Sequence, residues 1–180
     1  MMAAEWRKPP TWAVGAGLFL MALGASAGAS LVFQGRFYDF ARQRVVERPE
    51  VHGLTGFTAI DEPRITEVVE QSNRSFRMLH VHGLGVRLLI LVASTAVAQL
   101  PIPDRLRTVL TALVALGAFY PPGWLLFGLL IPYYGFPVLR APIEFGVFLP
   151  FGGAAILGLW AAAAAFLLRS RSREAASRAA

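Results

Sequence analysis

Two of the three histidines in this chain lie two residues apart, in the segment His80-Val81-His82-Gly83. Imidazole nitrogens ligate haem iron and copper, so His80 and His82 form a candidate cofactor site. His52, earlier in the chain, could supply a third nitrogen to a metal. Residues two apart on a regular helix point about 200° from each other, so one metal could take both only where the backbone is unwound.

An apolar helix that begins with His80, His82 and Gly83 resembles the haem- and copper-bearing helices of respiratory oxidases. The likeness covers four residues, so no fold, activity or residue role is carried over from it. A haem ligated by two histidines of this chain's apolar segments would need a histidine on a second segment, and none has one. The sequence therefore predicts haem or copper at His80 and His82, with His52 as a further metal ligand. In the alternative, each histidine only makes a hydrogen bond.

Arg87 is a permanent positive charge near the middle of a long apolar stretch. An arginine at the centre of a membrane helix costs about 2.5–3.5 kcal/mol on insertion scales, so a partner is expected. In the next apolar stretch, Pro121 and Pro122 lack backbone donors, which predicts a break with unused carbonyl oxygens one turn earlier.

We predict that Arg87 donates to those carbonyls, which belong to Gly117 and Ala118, close to Tyr120. Glu144 is a second candidate partner. Such a site is either a static lock between two helices or a site for an anion, a proton relay or an acidic substrate group. The predicted intramembrane polar site comprises Arg87, Gly117, Ala118, Tyr120 and Glu144.

The elements that must position these residues are four apolar stretches, each long enough to cross a bilayer. They cover residues 11–33, 78–100, 108–131 and 146–168. The chain is 56% hydrophobic with a mean hydropathy of +0.54, above the average of soluble domains. The sequence therefore predicts an all-α integral membrane protein, in which residues 1–180 form one domain built as a four-helix transmembrane bundle.

A loop of residues 34–77 joins the first two spans and is predicted to be partly helical. Asp61 has the position of a helix N-cap and Pro63 that of an early helical residue, so a helix should follow them. That helix either lies on the membrane surface or runs straight into the second span. Pro150 and Gly152 predict a kinked or broken start of the fourth span.

The placement of charge predicts the orientation. The N-terminal flank, the 101–107 turn and the basic tail 169–180 carry eight Lys or Arg and three acids, whereas loops 34–77 and 132–145 are neutral. Short flanks rich in Lys and Arg stay in the cytoplasm. We therefore expect both termini to be cytoplasmic in the inner (plasma) membrane of a cell. The net charge of +6 is then a sign of topology and of contact with the lipid bilayer, and not of nucleic-acid binding.

Two features of the first span allow more than one interpretation. The basic residues Arg7 and Lys8, the apolar run and Ala25-Ser26-Ala27 resemble a cleaved signal peptide. The apolar run continues past that point, which favours a retained helix. Gly24 and Gly28 form a close-approach motif, which packs within the bundle or serves a homo-oligomer or another membrane protein.

No catalytic constellation is visible in the sequence. The chain has no cysteine, and no serine–histidine–acid set, paired intramembrane carboxylates or phosphate loop can be traced. The sequence favours a non-enzymatic membrane subunit or accessory protein, redox-linked if the histidines hold a metal or haem. The alternative is a small transporter or channel-like protein with a polar path around Arg87 and the proline break.

Overall fold

The computed structural model describes residues 6–179, apart from the side chains of Gln34 and of residues 170–179. The described residues are helical almost throughout and contain no strand. Helix α1 (Thr11–Ser30) continues through a 3₁₀ turn (Leu31–Phe33) into α2 (Gln34–Val46), and α3 (Pro49–His52) and α4 (Thr58–Ala98) follow. Helix α5 (Asp104–Leu116) leads through a second 3₁₀ turn (Gly117–Phe119) to α6 (Pro121–Tyr134). The remaining elements are α7 (Phe136–Ile143), a π-helical segment (Glu144–Gly152) and α8 (Gly153–Ala179).

Within residues 6–179, four helical segments are long and apolar enough to span a membrane. They are Thr11–Phe33, Thr58–Ala98, Asp104–Tyr134 and Phe136–Arg169. The predicted all-helical architecture with four apolar segments is thus confirmed, and it suggests a multi-pass membrane protein. Of the predicted basic tail, the side chains beyond Arg169 lie outside the described residues, as does Glu5 of the N-terminal flank.

Helix α4 is one uninterrupted helix of 41 residues. At a rise of about 1.5 Å per residue its length is about 60 Å, twice the thickness of a bilayer core. Of the two predictions for the second half of loop 34–77, the one in which the helix runs straight into the second span is confirmed. We call the end of the bundle that holds residues 34–77 and the turn at Gly135 the loop end, and the opposite end the terminal end.

The start of α4 differs from the prediction, because the helix begins at Thr58 and not after Asp61. The Asp61 carboxylate still accepts backbone donors that precede the helix. It accepts the amide N–H of Thr55 at 2.8 Å, the amide N–H of Gly56 at 2.8 Å and the Thr55 hydroxyl at 3.0 Å. These bonds, the one from the Thr55 amide foremost, hold the pKa of the Asp61 carboxyl below its ordinary value of 3.8.

Helices α1 and α4 approach each other at glycines. A Cβ atom on Gly24 would lie 3.2 Å from the carbonyl carbon of Gly83, and one on Gly83 would lie 3.0 Å from the Cα of Gly24. A Cβ on Gly28 would lie 2.5 Å from the ring of His80. The face that carries Gly24 and Gly28 is therefore occupied by α4 of the same chain, and a homo-oligomer could not use it without displacing α4.

The prolines of the third segment cause a change of helix type instead of an open break. Residues 117–119 tighten to a 3₁₀ turn, and the amide N–H of Tyr120 donates to the carbonyl oxygen of Gly117 at 3.1 Å. The prediction that this carbonyl oxygen is left unused is therefore wrong. A 3₁₀ bond reaches back three residues, so the donor of Tyr120 replaces the one that Pro121 lacks.

The fourth segment also stays helical where a kinked or broken start was predicted. Residues Glu144–Gly152 form a π-helix between α7 and α8. Pro150 lies inside it and contributes no amide N–H. A π-helical stretch of this length is rare, and π-helical turns are frequent at functional sites.

Candidate functional site

His80 is directed at α1. Its Nδ1 lies 2.8 Å from the carbonyl oxygen of Gly24. A carbonyl oxygen only accepts hydrogen bonds, so Nδ1 carries the proton and Nε2 of the neutral ring keeps its lone pair. The ring also fills the space that Gly28 leaves open, which explains why a glycine stands there.

His82 is directed at α6. Its Nδ1 lies 2.9 Å from the carbonyl oxygen of Met78, so Nε2 is again the nitrogen with the lone pair in the neutral ring. The ring stacks on Trp124 at a centroid distance of 5.6 Å and lies 5.4 Å from the ring of Tyr120. Because α4 is regular here, His80 and His82 contact different helices, as their spacing indicates.

His52 is buried at the end of α3, and its Nε2 lies 3.0 Å from the carbonyl oxygen of Pro132. The described residues contain no group of three or more histidine or acidic side chains able to hold a metal ion. The structure thus does not bring His52, His80 and His82 together. The reason is geometric, since each histidine is fixed by a carbonyl oxygen of a different segment.

Arg87 does not reach the third segment. Its Nε donates to the carbonyl oxygen of Leu84 in its own helix, at 3.3 Å. The described residues offer it no other hydrogen bond and no ion pair, so the predicted contact with the carbonyls of Gly117 and Ala118 is wrong, as is the one with Glu144. Side chains on a helix lean toward its N-terminus, which carries this guanidinium to the preceding turn of α4 and not across to α5.

Tyr120 and Glu144 lie on the wall of one cavity. Together with Phe148, Gly152 and other residues of the π-helical segment they line a cavity of about 430 Å³. Glu144 accepts a hydrogen bond from Nε of Arg140 at 2.9 Å. Nearby, the indole Nε1 of Trp124 is buried without a hydrogen-bond partner among the described residues. Two members of the predicted polar site therefore share one cavity, and Arg87 is not among its lining residues.

Sequence reasoning missed a second cavity, of about 420 Å³, at the loop end. One wall is the face of α4 that carries Arg64, Glu67 and Gln71, and His52 of α3 and Phe136 of α7 also line it. The spacing of the three α4 residues, i, i+3 and i+7, places them on one helical face and could have indicated this wall. The opposite wall comes from residues about seventy positions later in the chain, which no local pattern connects with it.

Comparisons with protein-family models, with curated proteins and with solved structures give no significant match. The function of the chain must therefore be argued from its own geometry.

Proposed function

We propose that this chain is a non-enzymatic integral membrane subunit or accessory protein of the inner (plasma) membrane, with both termini cytoplasmic. In this proposal it binds a second membrane protein through the face of α4 that carries Arg87. The observation that supports the proposal is the half-buried Arg87, whose guanidinium finds, among the described residues, a single acceptor: a backbone carbonyl of its own helix.

The depth of Arg87 makes this arrangement costly for an isolated chain. Arg87 precedes Ala98, the last residue of α4, by eleven residues, or about 16 Å along the helix. That is about half the thickness of a bilayer core. One bond of 3.3 Å to an oxygen that also belongs to the helix compensates little of the cost of a charge there. A carboxylate would compensate much more, because hydrogen bonds between charged groups are about twice as strong as neutral ones.

The position of Arg87 around α4 leaves it accessible to a partner helix. Its bond to Leu84 draws the guanidinium toward the half-buried Leu84, beyond which Leu88 is 55% exposed. Arg87 lies one turn from Gly83 and one turn from Leu91, which both contact α1, so a partner could reach only the exposed part of its half-buried side chain. A helix that packs on Leu88 could place an acidic side chain beside the guanidinium.

A second copy of the chain is poorly suited to supply that acid. No Asp or Glu lies within residues 11–33, 78–100, 108–131 or 146–168. Glu144, just before the last of these, is already paired with Arg140. We therefore expect the acidic side chain to come from a different membrane protein.

Photocrosslinking tests this proposal. A photoreactive residue at Leu88 should crosslink, in native membranes, to a membrane helix with an Asp or Glu in its apolar part. Arg87→Leu should abolish the crosslink, and Arg87→Lys, which keeps the charge, should retain most of it. A photoreactive residue at Leu157, which is 66% exposed on α8, is the matched control and should not capture the same protein. A crosslink that Arg87→Leu leaves unchanged, or a captured helix without an acid, would contradict the proposal.

The redox-linked form of this proposal rests on His80 and His82. A histidine that ligates a metal almost always donates its other N–H to a carbonyl, a carboxylate or water, and both rings have such a bond at Nδ1. The optical spectrum and the metal content of the purified protein test it. A Soret band, or stoichiometric copper, that is lost in His80→Ala or His82→Ala supports a bound cofactor, and a colourless, metal-free protein contradicts it.

A small transporter or channel-like protein is the second candidate. It is favoured by the cavity that Tyr120 and Glu144 share beside the π-helical segment. Arg87 has no part in that cavity, so a polar path would depend on Tyr120 and Glu144 alone. Proton or ion flux into liposomes that contain the purified protein, lowered by Glu144→Gln, would support this candidate over the first.

A further inference from the structure

The loop-end cavity of about 420 Å³ has one polar and one apolar wall. The polar wall is the part of α4 that precedes the apolar stretch beginning at residue 78. The apolar wall is formed by residues of α3, α4 and α7, among them Ile60, Phe136 and Pro137. The cavity is large enough for a small organic molecule.

Two opposite charges, on the exposed side chains of Arg64 and Glu67, line this cavity without pairing with each other. Arg64 and Glu67 are three residues apart on α4, a spacing at which ion pairs commonly form, yet they form none. Arg64 makes no hydrogen bond or ion pair with any described residue. Among the described residues, Glu67 accepts a single bond, of 3.4 Å, from the side-chain amide of Gln71. The charge of Arg64 acts on the nearby Asp61, but its guanidinium N–H groups and most acceptor positions of Glu67 are not used by the residues that the structure describes.

His52 adds a fixed acceptor. The residue is only 4% exposed, and its bond to the carbonyl oxygen of Pro132 requires the proton to be on Nε2. Nδ1 of the neutral ring consequently keeps its lone pair, and no described residue donates to it. A ligand with an N–H or O–H donor could satisfy this nitrogen.

The local backbone holds the polar wall in place. Asp61 fixes the turn at Thr55 and Gly56 to the first turn of α4, and the guanidinium of Arg64 lies over Gly53, where a Cβ would be 3.3 Å from Nη2. Gly53 has a φ of 62°, which suits glycine and ends α3 just after His52. The backbone that carries the polar wall is thus arranged before any ligand enters.

We propose that this cavity binds a small zwitterion with an apolar side chain, the chemistry of a free α-amino acid. The carboxylate would pair with Arg64, and the ammonium group would donate to Glu67 and to Nδ1 of His52. The side chain would pack on the apolar wall that includes Phe136. This proposal is independent of the partner proposed for Arg87, because the two sites share no residue.

Calorimetric titration of the full chain in nanodiscs tests the site, with L-leucine and L-phenylalanine as probes. Each should bind, whereas isoamylamine and 4-methylvalerate, which each lack one of the two charges, should bind about two- to fivefold more weakly, because each loses one exposed charge pair. Arg64→Gln and Glu67→Gln should each weaken L-leucine binding about two- to fivefold for the same reason. Arg74→Gln removes a charge from the same helix outside the cavity and should leave binding unchanged.

Three results would overturn the proposal. The first is that neither amino acid gives a heat of binding at concentrations up to about 10 mM, because a site that pairs both charges should bind more tightly than that. The second is equal binding of the singly charged analogues. The third is a loss of binding in Arg74→Gln as large as that in Arg64→Gln. None of these results bears on the crosslink at Leu88, so the two proposals fail separately.

Discussion

The contribution of the Asp61 carboxylate to folding stability depends on its negative charge. It accepts three hydrogen bonds at the start of α4, which keep its pKa below 3.8. A group whose pKa is lowered by folding stabilises the folded state above its unfolded pKa and loses that contribution as the pH falls through its folded pKa. The charged side chain therefore stabilises the loop end at neutral pH.

We expect the unfolding temperature of the detergent-solubilised protein to fall as the pH is lowered from about 5 to about 2. Asp61→Asn should lower the unfolding temperature at neutral pH, because one amide oxygen accepts fewer bonds and carries no charge. The unfolding temperature of this variant should also decrease less steeply as the pH is lowered. Asp39→Asn is the control, since that exposed carboxylate makes no hydrogen bond or ion pair with a described residue. An Asp61→Asn profile parallel to that of the wild type would show that the carboxylate has no such role.

At the scale of single residues, the sequence predicted the relative orientation of side chains around a helix better than it predicted their hydrogen-bond partners. The spacing of His80 and His82 correctly implied that they face different neighbours, because helix periodicity fixes relative angles. It could not supply the oxygen atoms of Gly24 and Met78 that orient the rings. For Arg87 the predicted partners were wrong, since the lean of a helical side chain toward its own preceding turn outweighed the closeness of a proline-containing neighbour.

At the scale of elements, the contact of α1 with α4 depends on backbone atoms that cannot move aside. Gly83→Ala places a methyl group 3.0 Å from the Cα of Gly24, whereas a methyl group on Gly85 would meet nothing within 4 Å. A comparison of Gly83→Ala with Gly85→Ala therefore separates the cost of a steric clash between helices from the gain in helix propensity.

We expect Gly83→Ala to destabilise the protein by about 1–3 kcal/mol, the usual cost of overpacking. Gly85→Ala should be neutral or stabilising by up to about 1 kcal/mol, because alanine favours a helix over glycine. Unfolding of both variants by denaturant in a fixed detergent measures the difference. Equal stability of the two variants would mean that α1 and α4 do not approach as closely as described.

Hydropathy and length predicted the four apolar segments because both are local properties of the chain. They did not predict that α1 packs on α4, because a glycine face indicates a close helix contact but does not identify the helix that makes it. They also did not predict the π-helical segment Glu144–Gly152, which replaced the expected break at Pro150. A missing donor can be compensated by a wider helical turn as well as by an opening, and local sequence does not distinguish the two.

At the scale of the whole molecule, the proposed four spans would place both termini on one side of the membrane. The chain has no cysteine, so single cysteines can report this arrangement without background. Lys8→Cys and Glu50→Cys both lie at exposed positions, at the terminal end and at the loop end.

In intact cells, a membrane-impermeant maleimide should label Glu50→Cys at once and Lys8→Cys only after the membrane is opened. This result follows from the proposed orientation, in which the basic flanks are cytoplasmic. Labelling of Lys8→Cys in intact cells would reverse the orientation. Loss of residues 1–27 from the mature protein, seen by mass spectrometry, would instead identify the first apolar segment as a signal peptide.

The two proposed sites lie on one long helix, α4. Arg87 lies in the apolar part of this helix, and Arg64 and Glu67 lie on the same rod about 30–35 Å away. A rod of about 60 Å that pivots by about 10° at its terminal end swings its far tip sideways by about 10 Å. A partner that tilts α4 by binding at the half-buried Arg87 would therefore widen or narrow the loop-end cavity.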